Sequence, residues 1–254
     1  MKPKPLSFIF TALCMLVLSS CTTPGTSSPT VQPKPSETLS QARVTSVPTN
    51  TTTVIASVAD YKPQSSCDHP YYPLRNGASW TLSTVDLVMS LSVTQVTGAQ
   101  PESVALMTRV YDFGDQYTQA WHCSDNGIYE IDIMYYSADV GVMLPVVLIT
   151  HTGLYLPSAS LLSPGYSWDE LAVIQNQGTV ITSTYHYQVL STNPVTVTGQ
   201  VYAGLQVVIK GTVDARNKAG EEKHQDINLL RVFALGVGIV QENELTLRKF
   251  VHPQ

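Results

Sequence analysis

The chain carries few charges and no concentration of positive ones. Charged residues make up 13% of its 254 residues, with 14 basic side chains against 19 acidic ones. Runs of Lys or Arg are absent from the sequence. Because neutralising phosphates requires clustered basic side chains, this composition argues against a nucleic-acid partner.

The sequence also lacks the short motifs that mark common catalytic sites. It has no G-x-S-x-G, H-E-x-x-H, S-x-x-K or Walker pattern. We therefore predict a non-catalytic domain with no cofactor and no metal ion. An envelope hydrolase is the lesser alternative, and it would need a histidine such as His151 or His186 beside Asp169 or Glu170.

Long apolar runs are missing too, and the most pronounced one is short and N-terminal. Residues 8–18 are apolar apart from one threonine, and they follow Lys2 and Lys4. This run is too short to span a bilayer but has the length of a signal-peptide core. The following Ser-Ser-Cys, ending at Cys21, resembles a bacterial lipobox. We predict a signal peptide over residues 1–20 and a lipidated N-terminal Cys21.

The lipobox also predicts where the protein resides. Lipid on Cys21 would anchor the chain on the extracytoplasmic side of a membrane, the outer membrane if the organism has one. Cleavage removes Lys2 and Lys4, so 14 basic residues become 12 against 19 acidic ones, a net charge near −7.

A segment rich in Thr, Ser and Pro follows the lipidation site. Residues 21–66 contain no aromatic residue before Tyr61. Such a composition buries too little apolar surface to offset the entropy of ordering the chain. We predict a disordered tether with a root-mean-square span of roughly 35–40 Å.

Residues 67–254 show the two-residue period of half-buried strands. Apolar and polar residues alternate over residues 87–94, 129–135 and 205–210. Asn126-Gly127 between two such runs is a hairpin signal. The pattern predicts a single all-β domain built from antiparallel sheet.

One sequence motif occurs twice in this domain. Residues 74–80 and 162–168 share L-x-x-G-x-S-W. The motif predicts a tight turn at Gly77 and Gly165, where glycine adopts a positive φ, and core positions for Trp80 and Trp168. Two similar β-meander halves around one core are the simplest architecture that explains the repeat.

The order of motifs resembles a known group of proteins. Residues 71–80 match a Y-x-P-L-x-x-G-x-x-W opening, and residues 236–240, with Gly236 and Gly238, match a G-V-G-x-V closing strand. The chain is similar to uncharacterised bacterial envelope lipoproteins of the TapB-like group of domains of unknown function, although Leu235 stands where members tend to have Pro. The resemblance implies a strongly curved, incompletely closed antiparallel β-barrel and no catalytic residues.

Two cysteines remain for the mature domain once Cys21 is lipidated. Cys67 and Cys123 in an exported protein predict a disulfide, which would stabilise the fold by about 4 kcal/mol. The alternative is a zinc site with His69 and His122. Neighbouring His122 and Cys123 point to opposite faces of a strand, which disfavours that alternative.

These observations predict a lipoprotein whose β-domain binds a lipid, a glycan or an envelope protein. A structural spacer without a small ligand remains open as an alternative. Aromatic residues are predicted to pack in the core, with a ligand-lining role as the alternative. They are Tyr71, Tyr72, Trp80, Trp121, Tyr135, Tyr136, Tyr155, Tyr166, Trp168, Tyr185 and Tyr187.

Overall fold

The computed structural model describes residues 57–137 and 142–252, without the side chains of 137 and 142–145. The predicted signal peptide, Cys21 and the tether up to residue 56 lie outside the described residues. No helix in the described part of the chain is long and apolar enough to cross a membrane.

Within these residues the domain contains one short 3-10 helix, Val58–Asp60, and seventeen strands. The strands are β1 (Asp68–His69), β2 (Tyr72–Pro73), β3 (Ser79–Ser83), β4 (Val88–Ala99), β5 (Glu102–Tyr111), β6 (Gln116–Ser124), β7 (Gly127–Ser137), β8 (Val142–Gly153), β9 (Leu156–Pro157), β10 (Ser167–Asn176), β11 (Thr179–Ser191), β12 (Val195–Val197), β13 (Gln200–Tyr202), β14 (Gly204–Arg216), β15 (Glu222–Ala234), β16 (Gly238–Glu242) and β17 (Leu245–Val251).

Twelve of these strands form an antiparallel β-barrel. Around the ring the order is β3, β4, β5, β6, β7, β8, β10, β11, β14, β15, β16 and β17, and β17 pairs with β3 again. The prediction of an all-β, strongly curved antiparallel barrel is confirmed. Two neighbouring strand pairs are hydrogen-bonded over only part of their length. Strand β7 pairs with β8 at residues 133–137 only, and β16 pairs with β17 through two residue pairs.

The repeated motif forms the same turn in both halves of the barrel. Gly77 has a φ of 80° and donates its N–H to the Val93 carbonyl over 2.8 Å; Gly165 has a φ of 89° and donates to Val189 over 2.9 Å. Each valine donates in return to the residue after the glycine, and a register shift follows each valine. The first half therefore comprises β3 to β8, and the second comprises β10, β11 and β14 to β17.

The tryptophans of the repeated motif are tied to neighbouring backbone. Trp80 is buried and donates its indole N–H to the Val237 carbonyl, while Trp168 donates to Leu154 over 2.8 Å. Gly238 lies against the Trp80 ring, and a Cβ there would stand 2.8 Å from the indole nitrogen. Only glycine allows this close approach, since its φ of 104° also disfavours other residues.

The chain enters the barrel through a cross-linked segment. Cys67 and Cys123 form a disulfide, with 4.9 Å between their Cα atoms, so neither sulfur is left for a zinc ion. His69, the other zinc candidate on this segment, is buried and lies with Nε2 3.0 Å from the Pro157 carbonyl.

The end of the predicted tether contacts the domain. Tyr61, which follows the 3-10 helix, donates its hydroxyl to the Asp68 carboxylate over 2.5 Å. Arg75 binds the same carboxylate through Nε at 2.9 Å and Tyr61 through a second nitrogen. Tyr61 thus attaches the segment ahead of Cys67 to the start of the barrel domain.

Candidate functional site

The interior of the barrel contains a layer of charged and hydrogen-bonding side chains. Alternating residues of each strand point inward, and most of them are apolar. Eight strands each contribute one charged or hydrogen-bonding side chain to the interior, and we name this set the polar belt. The belt comprises Arg109, Gln119, Glu130, His151, Glu170, Tyr187, Arg231 and Glu242.

A buried ion pair connects β15 and β16 in this belt. Arg231 Nε lies 2.7 Å from Glu242 Oε2, and the two side chains are 12% and 6% exposed. Burial raises the pKa of Glu242, but the Arg231 and Arg109 charges outweigh it and hold that pKa below its ordinary value. Glu242 is therefore ionised inside the barrel. The Arg231 guanidinium also lies 4.9 Å from the centre of the Tyr155 ring.

The corresponding strands of the first half carry a carboxyl group in a different state. Glu130 on β7 accepts a hydrogen bond of 2.6 Å from the Gln119 amide on β6. Burial raises the pKa of Glu130 to about 7, against the lowering effects of Gln119 and Arg109. The site thus contains a carboxyl group that changes protonation near neutral pH.

A histidine–carboxylate pair lies beside Glu130. His151 Nε2 is 2.9 Å from Glu170 Oε1, with both side chains buried, and Tyr187 donates its hydroxyl to the other oxygen of Glu170. A second pair, His186 and Asp169, has 2.7 Å between its atoms but is exposed on the outer face. The hydrolase alternative needed one histidine, His151 or His186, beside Asp169 or Glu170; both histidines have such a partner, and only the His151–Glu170 pair is part of the belt.

Several buried polar atoms in this interior have no hydrogen-bond partner among the described residues. They include Arg109 Nε, Gln119 Oε1, Trp121 Nε1 and the Tyr155 hydroxyl. Trp121 and Tyr155 are neighbours, with ring centres 4.8 Å apart. Buried polar groups are normally satisfied, so these four atoms are unused hydrogen-bonding capacity inside the barrel.

The predicted aromatic residues mostly pack against one another. The Tyr72 ring is stacked on Trp80 at 6.1 Å and meets Tyr155 at 5.5 Å, and Trp168 is stacked on Tyr187 at 4.9 Å. Their faces are therefore largely covered by other rings. Gly77, Gly165, Gly236 and Gly238 all have positive φ and serve turns or close contacts away from the belt.

A second concave surface lies on the outside of the barrel. The hairpin of β12 and β13 covers a cleft of about 340 Å³ on β14 to β17. Its lining is uncharged, with Thr196 and Thr198 on the hairpin and Gln206 and Gln241 on the wall. It provides no titratable group for chemistry.

The sequence reasoning did not select the two belt arginines. Arg109 stands in phase with buried Met107 and Tyr111 on β5, and Arg231 stands in phase with buried Phe233 on β15. A charge at an apolar position of an alternating strand is the signal that identifies such residues.

Comparisons with known proteins give similarity of fold alone. No family model matches the chain and no curated protein sequence matches it, so the resemblance to the TapB-like group stays a prediction. A Bacteroides fragilis protein described as exported, with a YmcC-like fold, has 14% identity and a TM-score of 0.47, covering 72% of this chain and 100% of that one. A Parabacteroides distasonis protein described as a lipoprotein has 12% identity and a TM-score of 0.47, covering 72% and 99%.

Proposed function

We propose that this protein is a lipid-anchored binding module of the cell envelope and takes a polar small molecule, of the glycan class, into the barrel. The polar belt is the observation that carries the proposal. Buried ion pairs such as Arg231–Glu242 stabilise a fold no better than apolar side chains of similar volume. Such an interior favours a binding site over a pure spacer, because a spacer's barrel could be filled by apolar side chains alone.

The chemistry of the belt favours a polar ligand over an acyl chain. An acyl chain in the middle of the barrel would face Arg109, Glu130 and Glu242, and burying those groups against hydrocarbon is costly. Hydroxyl groups of a sugar can instead satisfy the unpartnered atoms of Gln119 and Tyr155. The binding role is non-catalytic in this proposal.

Native mass spectrometry of the full chain tests the proposal. The protein would be exported with its own signal peptide in a bacterial host and extracted in mild detergent. We expect a non-covalently bound polar small molecule, identified by its fragment masses. A protein without a guest, or one carrying only fatty acid or phospholipid, would refute the proposal and favour a spacer or a lipid carrier.

A hydrolase is the second candidate, because His151, Glu170 and Glu130 lie together and the pKa of Glu130 is raised to about 7. Envelope glycan fragments incubated with the protein would then yield products of lower mass. Glu170→Gln and Glu130→Gln variants should abolish that yield, while the His186→Gln variant of the exposed pair should retain it.

A further inference from the structure

The two belt arginines, Arg231 and Arg109, act on the same carboxylate, since both lower the pKa of Glu242. Arg231 pairs with Glu242 at 2.7 Å, whereas Arg109 is hydrogen-bonded to Tyr111 and keeps its buried Nε without a partner among the described residues. Glu130, the other carboxyl group near Arg109, has its pKa raised by burial to about 7. Two guanidinium charges thus share the Glu242 carboxylate, and a further anion would offset the excess positive charge.

The other unpartnered atoms point to the sign of that counter-charge. Trp121 Nε1 can only donate a hydrogen bond, and the Tyr155 hydroxyl can donate one as well. Together with Arg109 Nε they make three donors, against one acceptor at Gln119. A set dominated by donors matches a group that only accepts hydrogen bonds.

The groups around these donors have assigned partners or stay neutral. Tyr72 donates its hydroxyl to the Met107 sulfur over 3.3 Å, and burial raises the Tyr72 pKa well above its ordinary value. Burial likewise raises the Tyr155 pKa, so the phenol remains a donor. Arg231 lies over the Tyr155 ring and adds a second positive charge to the same region.

We infer that the barrel interior holds the acid group of its ligand, a carboxylate or a phosphate, between Arg109, Trp121 and Tyr155. This inference rests on the proposed function and narrows the ligand class to an acidic sugar. The guanidinium supplies a charge-assisted hydrogen bond, and the indole and phenol supply directional donors. Gln119 can then accept from a hydroxyl of the same ligand.

Three sugars of similar size test the inference on the full detergent-extracted chain. Glucuronate carries a carboxylate, glucose 1-phosphate a phosphate, and glucose neither, so calorimetric titration compares the acid groups directly. We expect one acidic sugar to bind at least about tenfold more tightly than glucose. Equal affinity for all three would overturn the inference while leaving a polar binding module in place.

Two variants and a control locate the site. Arg109→Gln removes the charge and Trp121→Phe removes one donor with little change of shape, so each should weaken binding of the acidic sugar about 10- to 100-fold and narrow the gap between its affinity and that of glucose. Arg248→Gln is the control, because that arginine is exposed and donates to the Ser83 hydroxyl, and neither residue belongs to the belt. Acidic-sugar affinity that survives in both belt variants overturns the inference. If all three sugars fail to bind and no guest is seen by mass spectrometry, the proposed function fails with it.

Discussion

Removing Arg231 should destabilise the barrel far more than removing an exposed arginine. In the parent protein the Glu242 side chain is 6% exposed and lies 2.7 Å from the Arg231 guanidinium. The Arg231→Met change leaves this buried carboxylate without its ion-pair partner. Breaking a buried pair in this way costs about 3–5 kcal/mol, a large part of the roughly 5–15 kcal/mol that stabilises a typical domain. Because Arg109 also lowers the pKa of Glu242, the loss of unfolding free energy should fall near the lower end of that range of about 3–5 kcal/mol.

A matched ion pair on the surface provides the control. Arg216 and Glu222 face each other at 3.7 Å with side chains 69% and 72% exposed, so Arg216→Met should cost less than about 0.5 kcal/mol. The free energy of unfolding comes from urea titration followed by the fluorescence of the three tryptophans.

The double variant Arg231→Met with Glu242→Leu, measured together with the two single variants, completes a double-mutant cycle. It should recover at least half of the single variant's loss, because no carboxylate is then buried without its guanidinium. A loss below about 1 kcal/mol for Arg231→Met, or a double variant whose loss equals the sum of the two single ones, would show that the pair is not electrostatically coupled inside the barrel.

Three further predictions concern stability. Reduction of the Cys67–Cys123 disulfide should lower the free energy of unfolding by about 4 kcal/mol, measured by urea titration with and without reductant; an unchanged midpoint would contradict it. Gly127→Ala should cost more than about 2 kcal/mol, since its Cβ would stand 2.3 Å from the Leu156 carbonyl oxygen, and a thermal midpoint equal to the parent's would refute this. Burial lowers the pKa of His69 to about 4 and raises that of Glu130 to about 7. Protonation of the unfolded chain at His69 therefore lowers the free energy of unfolding as pH falls from 6.5 towards 4. Ionisation of Glu130 in the unfolded chain lowers it as pH rises from 4.5 towards 7. The His69→Gln variant should therefore lose less stability than the parent below pH 6.5, and the Glu130→Gln variant should lose less above pH 4.5. A plot of unfolding free energy against pH with the parent's shape would count against these pKa shifts.

Much of the fold was accessible from the sequence because strand patterning is a local property. The two-residue alternation predicted antiparallel sheet, and the repeated L-x-x-G-x-S-W predicted matching halves, which the hydrogen bonds of Gly77 and Gly165 reproduce. The pairing of Cys67 with Cys123 followed from cysteine number and compartment, with few alternatives to weigh.

The site was less accessible, because it depends on which strands meet across the barrel. Arg231 and Glu242 are on adjacent strands, but Arg109 reaches the same region from the other half of the ring. Alternation places a residue on the inner face without saying which inner residues face one another. The hydrolase alternative named His151 and Glu170 from residue type alone, and their strands are neighbours in the barrel.

The position of the disulfide has a mechanical consequence. Tension applied to the chain ahead of Cys67 passes through a covalent bond to Cys123. Cys123 lies in β6, which is hydrogen-bonded to β5 on one side and to β7 on the other, so a long ladder must shear before the strand moves. The two-residue strands β1 and β2 carry none of this load. A domain pulled by the chain ahead of Cys67 would therefore resist force through the barrel wall, and reduction of the disulfide would shift the load onto the segment that holds Asp68 and Arg75.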